Sequence, residues 1–409
     1  MTVYLRVYMN EKDTLCILGR QPALGLAELE SLYGPTKLIV ASSNAVVVKE
    51  SLEPASLARL GGTLKLARIV AVLDAVAWPK VASYLRSDLP FVVNFAGEGK
   101  LQLGLSAYGF VITPQKLMAS GLDLKKVLKK ATDRSVRLVS SKDELHLSTP
   151  QVIHNNLDRS GCEIVVLRSG NKTIIARTIA EQDIEAYTKR DQLRPKRDAR
   201  VGMLPPKLAQ IIVNLASNGL ETTKDAKQLR VLDPFCGTGV ILQEALLMGY
   251  KAAGSDLEAR MINYTMGNLE WLAETFKVDN SDIPLTVGDA TSLAWPEPFD
   301  LIASETYLGQ PMTQLPPPEK LDGIVRTCNL IIQLFLRNIG GQIPSGTRLC
   351  LAIPAWNKSV NQFKHLPLLD HLEELGYNRV SFVHSSDTDL IYFRENQIVA
   401  RQLVVITRK

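Results

Sequence analysis

Val231-Leu-Asp-Pro-Phe-Cys-Gly-Thr-Gly-Val-Ile-Leu-Gln-Glu-Ala-Leu246 reads as an apolar strand ending in an acid, a loop turning on two glycines, and a helix that begins at once. Such a strand–turn–helix opens a doubly wound α/β domain, where Gly237 and Gly239 let the backbone approach a ligand at the carboxyl end of the first strand. Pro234, Phe235, Cys236 and Thr238 complete the loop. The dinucleotide spelling G-x-G-x-x-G is missing, so no pyrophosphate needs a cradle here. Asp233 instead offers a carboxylate suited to a cationic ligand. The plain alternative is an ordinary tight turn.

Further acids follow in order. Lys251 to Ser255 reads as a second strand ending in Asp256, beside Leu257; Asp256 lies 23 residues beyond Asp233. Folds of this kind place a ribose-binding acid roughly 20 residues on. A third strand, Pro284 to Val287, runs into Gly288-Asp289-Ala290, and a fourth, Phe299 to Ala303, into Ser304-Glu-Thr-Tyr-Leu-Gly-Gln-Pro311. Three acids at three successive strand ends suit S-adenosylmethionine better than a dinucleotide. Asp233 faces its cationic methionine end, Asp256 the ribose hydroxyls, and Asp289 the adenine amino group. Each acid taken alone reads equally well as a helix cap or a loop acid.

The chain of 409 residues is long enough for two or three domains, and its 46% apolar content supports real cores. No run of 18 apolar residues appears, and no signal peptide is visible, so neither a membrane span nor secretion is expected. Cys16, Cys162, Cys236, Cys328 and Cys350 are scattered, in neither a disulfide nor a zinc pattern. They suit a reducing cytoplasm, and no metal site is expected. The net charge of +5 is uneven: residues 1–200 hold 29 basic and 20 acidic side chains, residues 201–409 hold 18 and 22. A basic half beside a cofactor half suits a polyanionic substrate, although a merely solvated surface has the same composition.

Strands are expected at Val3 to Val7, Thr14 to Leu18, Lys37 to Ala41 and Ala45 to Lys49, with a helix at Ala23 to Leu32. A second α+β stretch from about Trp78 to Ala180 includes strands Leu101 to Ser106, Glu163 to Leu167 and Thr173 to Arg177. Between them a helix carries Leu122, Val127 and Leu128 on one side and Lys125, Lys126, Lys129 and Lys130 on the other. Clustered lysines can lie along a phosphate backbone, or simply face solvent. Residues 179–200 are charge-dense and broken at Arg194-Pro195, and read as a linker in which Arg194 and Arg197 either bind RNA or, the preferred reading, pair with Asp191 and Asp198. Pro205-Pro206 then opens a helix, and Tyr377 to His384 and Leu390 to Thr407 read as terminal antiparallel strands.

Asp233-Pro-Phe-Cys-Gly-Thr-Gly239, Gly254-Ser-Asp256 and the polar-Tyr-Gly loop together resemble the THUMP-containing RNA methyltransferases, most of all the tRNA guanine-N2 methyltransferases acting at position ten. Upstream, Arg190-Asp191, Arg194-Pro195, Arg197-Asp198 and Gly202-Met-Leu-Pro-Pro-Lys-Leu-Ala209 match the family's entry into its catalytic domain. Leu122 to Lys130 and Gln151-Val-Ile-His154 look like its THUMP region, and Leu60-Gly-Gly-Thr-Leu-Lys65 like its N-terminal module. The resemblance implies a C-terminal Rossmann-like methyltransferase sheet behind ferredoxin-like and THUMP-like α+β modules. Its boundaries fall at 1–77, 78–180, a linker at 181–200, and 201–409. It also implies S-adenosylmethionine as cofactor, tRNA or another structured RNA as substrate, a small activating protein in some relatives, and a cytoplasmic location.

The amino-methyltransferases carry Asp-Pro-Pro-Tyr where this chain has Ser304-Glu305-Thr306-Tyr307. In that loop a carboxylate accepts hydrogen from a poorly nucleophilic exocyclic amine while the aromatic ring stacks on the base. Glu305 is preferred to Ser304 as the acceptor, a carboxylate being the stronger one, and Tyr307 takes the stacking role. Lys207 is a weaker candidate for a cofactor or phosphate contact. An rRNA or DNA-amine methyltransferase, or a noncatalytic RNA-binding protein that keeps the fold, stays open as an alternative.

Overall fold

The computed structural model describes residues 10, 12–95, 98–198, 203–220, 225, 228–296, 298–359, 362–394 and 397–409. The strand expected at Val3 to Val7 lies outside them. The chain forms two compact units, one of residues 1–22, 36–58 and 63–184, the other of 23–35, 59–62 and 185–409.

The first unit holds one mixed sheet. Its strands are β1 (Thr14–Leu18), β2 (Leu38–Ser42), β3 (Ala45–Val48), β4 (Thr63–Leu73), β5 (Leu101–Tyr108), β6 (Val136–Val139), β7 (Cys162–Ser169) and β8 (Lys172–Glu181), in the order β2-β3-β1-β4-β8-β7-β5-β6. Strands from 14–73 and from 101–181 therefore share a single sheet, joined by antiparallel β4 and β8. The helix Pro114–Thr132 starts on a Thr113 cap and buries Leu117, Gly121, Leu124 and Leu128. That stripe differs from the expected one: Leu122 is exposed, while Leu124 packs inward. Lys126, Lys129 and Lys130 are exposed and Lys125 half-buried, so the basic face points away from the core.

The interior of this sheet is not wholly apolar. Lys65 on β4 is buried against Glu163 on β7, at 2.5 Å, and lies 3.7 Å from Glu181 on β8. Ser106 and Thr178 donate to Glu163 at 2.6 and 2.5 Å, and Thr149 donates to Glu181 at 2.8 Å. A buried charge is tolerated only when paired and hydrogen-bonded; Lys65 and Glu163 meet that demand, while Glu181 Oε2 makes no hydrogen bond among the described residues.

The second unit carries β9 (Arg230–Asp233), β10 (Lys251–Asp256), β11 (Leu285–Val287), β12 (Leu301–Glu305), β13 (Arg348–Ser359), β14 (Gln362–Lys364), β15 (Tyr377–Arg379), β16 (Ile391–Tyr392) and β17 (Val399–Arg408). The main path is β11-β10-β9-β12-β13-β17-β15. The first five are parallel; β17 runs antiparallel to β13, and β15 antiparallel to β17. Alternate residues point to opposite faces. Val231, Leu301, Ala303, Cys350 and Ala352 meet the helices Pro206–Ser217 and Val240–Leu247. Leu232, Ile302, Leu349 and Leu351 meet the helix Pro318–Gly340. The result is the doubly wound α/β sheet expected from the sequence. Of the terminal strands, Tyr377 to His384 shortens to β15, and Leu390 to Thr407 divides into β16 and β17.

Residues 185–198, within the stretch read as a linker, belong to the second unit. Arg190 is buried and pairs with Glu244 at 2.7 Å, and the helix Pro22–Tyr33 lends Leu24 and Ala27 to the same core.

Replacing Lys65 by Met should leave two carboxylates in the first sheet without their cation. The expected cost is about 3–5 kcal/mol at pH 8 by urea unfolding. It should shrink below pH 6, where Glu181, pushed up to about 7 by burial, takes a proton.

Candidate active site

The strand order reverses at β9, whose neighbours are β10 on one side and β12 on the other. Ligands of open α/β sheets bind in the crevice outside the carboxyl ends of strands at such a point. Asp233 closes β9 and Ser304 lies next to the end of β12; Ser304 Oγ donates to Asp233 Oδ1 at 2.6 Å. The same oxygen accepts the Phe235 N–H at 3.2 Å. Asp233 is buried, and burial pushes its carboxyl up to about 8 against the opposing Ser304 and Phe235 hydrogen bonds. Asp256 and Glu305, both acids, push it the same way. A buried carboxyl held near neutrality by desolvation is receptive to a cation.

Asp256 ends β10 and ties it to the glycine loop. Oδ2 accepts the Gly237 N–H at 3.0 Å and Oδ1 the Glu258 N–H at 2.9 Å. An ionised carboxylate has further lone pairs for hydroxyl donors. Leu257 beside it is exposed. The β10 and β11 ends meet where the Gly288 N–H donates to the Asp256 carbonyl. Asp289 is exposed, and its Oδ1 accepts from the backbone and hydroxyl of Thr291 at 2.9 and 2.7 Å, while Ala290 is buried. The structure thus gathers Asp233, the glycine loop and Asp256 through direct bonds and sets Asp289 at the adjoining strand end.

The two loop glycines differ in what surrounds them. Both have positive φ, +53° at Gly237 and +82° at Gly239. A Cβ at Gly237 would meet nothing within 4 Å, whereas one at Gly239 would strike Thr265 at 2.9 Å. Open space lies over the first glycine and a helix is packed against the second. That helix, Ala259–Phe276, clamps the loop from behind. Thr265 Oγ1 donates to the Gly237 carbonyl at 2.9 Å, and Asn268 Nδ2 to those of Thr238 and Lys196 at 2.8 and 2.9 Å. Asn268 Oδ1 in turn accepts the Lys196 N–H at 2.9 Å. The sequence reading missed these two residues. Their signal is two polar side chains, three positions apart, inside the otherwise apolar buried stripe of Met261, Ile262, Leu269 and Leu272.

Asn268 thereby joins the glycine loop to the 190–198 strap. Among the described residues no ion pair joins Arg194 or Arg197 to Asp191 or Asp198, although the Asp191 charge acts on Arg194. Asp198 meets Arg260 at 3.2 Å, and Arg197 donates to the Gln192 carbonyl at 3.3 Å. Arg194 is buried, its guanidinium nitrogens making no hydrogen bond among the described residues. Lys207 lies 5.0 Å over the Tyr187 ring, which occupies it with packing.

Glu305, the last residue of β12, forms a buried ion pair with Arg401 of β17. Burial raises the Glu305 carboxyl, and the Arg401 charge and hydrogen bond work against that rise. Ser304 is fully buried one position below, while Tyr307 is exposed at the loop, within 3.5 Å of the Gln310 amide. Between the two acceptor positions considered in sequence, only Glu305 stands at the strand mouth; Ser304 serves Asp233.

Residues 194–314 match a protein family described as RMKL-like, methyltransferase domain. The tRNA (guanine(10)-N2)-dimethyltransferase of Methanothermobacter thermautotrophicus is 33% identical over 153 residues, which are 37% of this chain and 39% of that protein. The tRNA (guanine(10)-N2)-dimethyltransferase of Methanocaldococcus jannaschii is 36% identical over 115 residues, 28% of this chain and 30% of that protein. These matches span less than two-fifths of each relative's length. The crystal structure of TrmN from Thermus thermophilus superposes with a TM-score of 0.52 at 17% identity, covering 97% of this chain and 99% of that one; that likeness is one of fold.

Gly239→Ala should destabilise the second unit more than Gly237→Ala. Each replacement forces a side chain into positive φ, at about 1–2 kcal/mol, and only Gly239→Ala adds the clash with Thr265. Thermal unfolding of the two variants side by side measures the difference.

Proposed function

We propose that this chain is an S-adenosylmethionine-dependent RNA methyltransferase acting on the exocyclic N2 of a guanine in tRNA. The observation that carries the reading is the juxtaposition of a buried Asp233 at the switch point with Glu305 and Tyr307 at the next strand end. The match to a methyltransferase domain over 194–314 supports the reaction class. The two relatives, both named for guanine(10)-N2 in tRNA, support the substrate. The exposed Lys126, Lys129 and Lys130, with half-buried Lys125, supply a basic helix face for phosphates in the first unit, which we assign a THUMP-like role.

The residues present fit the cofactor. Asp233 offers a desolvated carboxyl for a cation, the space over Gly237 admits a ligand against the backbone, and Asp256 and Asp289 stand at the neighbouring strand ends. When bound, S-adenosylmethionine supplies an activated methyl group, so no metal is called for. The protein's own task is the amine, whose lone pair is delocalised into the ring. Glu305 accepts a hydrogen bond from it, which localises the lone pair, and takes a proton once the nitrogen has become cationic. Tyr307, exposed at the loop, stacks on a guanine drawn out of its helix. Extrusion costs a few kcal/mol, and stacking and hydrogen bonds in the pocket offset it.

Incubation with methyl-labelled cofactor and total tRNA, rRNA and DNA, followed by nucleoside mass spectrometry, tests the proposal. N2-methylated guanosine in tRNA is the expected product. Glu305→Gln should lower turnover by about 10²-fold or more with little change in cofactor affinity. Methylation of adenine or DNA, or full turnover in Glu305→Gln, would contradict the assignment.

A further inference from the structure

Arg401 reaches Glu305 across an intervening strand. It lies on β17, opposite Pro354 of β13, and Glu305 ends β12, opposite Ala352 of β13. The two residues are 96 positions apart in sequence, and the side chains are only 5% and 16% exposed. An ion pair at a surface contributes little and gives way to salt. A buried pair is different: each charge depends on the other, and removing one leaves the other desolvated. A buried arginine side chain is also an entropically expensive way to hold a loop that hydrogen bonds to the backbone could hold. Its position at the carboxylate that ends β12 calls for another account.

A second carboxyl feels the charge of Glu305. The charged groups facing Glu305 among the described residues are Arg401 from β17 and Asp233 from β9. Burial favours a neutral Glu305, and a neutral carboxyl is a poor acceptor and no base. Arg401 is the group that opposes burial. Its Nε–H donates to Oε1, and among the described residues Oε2 accepts no hydrogen bond, which leaves it to a substrate hydrogen.

We propose that Arg401 is a positioning residue for the reaction, holding Glu305 ionised and turned so that one carboxylate oxygen stays available to the substrate amine. The inference rests on the reading of Glu305 as acceptor given above. Arg401 touches neither the amine nor the cofactor in this scheme; it acts through Glu305. The sign of the effect follows. Without the arginine the Glu305 carboxyl holds its proton to higher pH, so the ionised fraction at neutral pH falls and recovers as pH rises. Loss at pH 7 is roughly tenfold for each unit by which that titration moves above neutrality.

The test measures kcat, the KM for tRNA, calorimetric cofactor affinity and thermal stability in wild type, Arg401→Lys, Arg401→Gln, Glu305→Gln and the double variant Glu305→Gln/Arg401→Gln. Arg401→Gln should lower kcat about tenfold or more at pH 7, regain most of it by pH 9, and leave cofactor affinity within about twofold. Arg401→Lys keeps the charge and should retain the wild-type pH profile even if turnover drops through altered geometry. In the Glu305→Gln background the arginine substitution should cost no further activity. If Glu305→Gln loses activity while Arg401→Gln keeps the wild-type kcat and pH profile, the arginine proposal is overturned and the acceptor stands. If Glu305→Gln is fully active, the acceptor reading itself has failed. Should Arg401→Gln prove too unstable to assay, cofactor affinity lost in proportion to activity in Arg401→Lys would mark the arginine as merely structural and overturn the proposal.

Discussion

The hydrogen bond from Ser304 to Asp233 ties together the ends of β9 and β12, the two strands between which the sheet changes direction. A parallel sheet fixes its strands through backbone bonds, but its carboxyl-terminal rim is free of them and must be organised by side chains. Here a buried hydroxyl and a buried carboxyl do that work. The bond spends Ser304 entirely and leaves Glu305, one residue on, at the opening. It also leaves Asp233 in a place where burial and two further acids disfavour its charge. A site prepared in this way has an unmet electrostatic demand, and a cationic ligand is what meets it.

The glycine loop depends on support from behind. Thr265 and Asn268 take its carbonyls, and Asn268 continues to Lys196 in the strap that precedes the domain's first helix. Arg190 fastens the same strap to Glu244, on the helix that follows the loop. The charge-dense stretch before the catalytic sheet is therefore part of the scaffold that shapes the turn. Polar groups buried this close together keep one geometry because each loses a partner if the arrangement slips.

Much of this was legible in the sequence because it is local. A strand ending in Asp233, two glycines and an apolar helix occupy sixteen consecutive residues, and Asp256 repeats the pattern at the expected spacing. The parallel strands β9, β10 and β12 show as short apolar runs. β4 escaped notice because Lys65 and Arg68 interrupt its apolar pattern, and only the fold reveals that Lys65 is neutralised inside the sheet. β13 was hidden by Pro354, a residue that argues against a central strand. The Glu305–Arg401 pair was illegible in principle. It joins residues far apart in the chain whose proximity exists only once β13 lies between β12 and β17. The same holds for the strap: charged residues predict exposure, and nothing in their order says that Arg190 and Arg194 are buried.

The central claim is that a cationic methyl donor seats against Asp233 and draws its carboxyl into the ionised form. Calorimetric titration of S-adenosylmethionine at pH 7, in two buffers of different ionisation enthalpy, counts the protons exchanged on binding. With the free carboxyl pushed up to about 8, the account predicts release of about one proton per cofactor bound, abolished in Asp233→Asn. Binding with no proton release, or release that persists in Asp233→Asn, would contradict it.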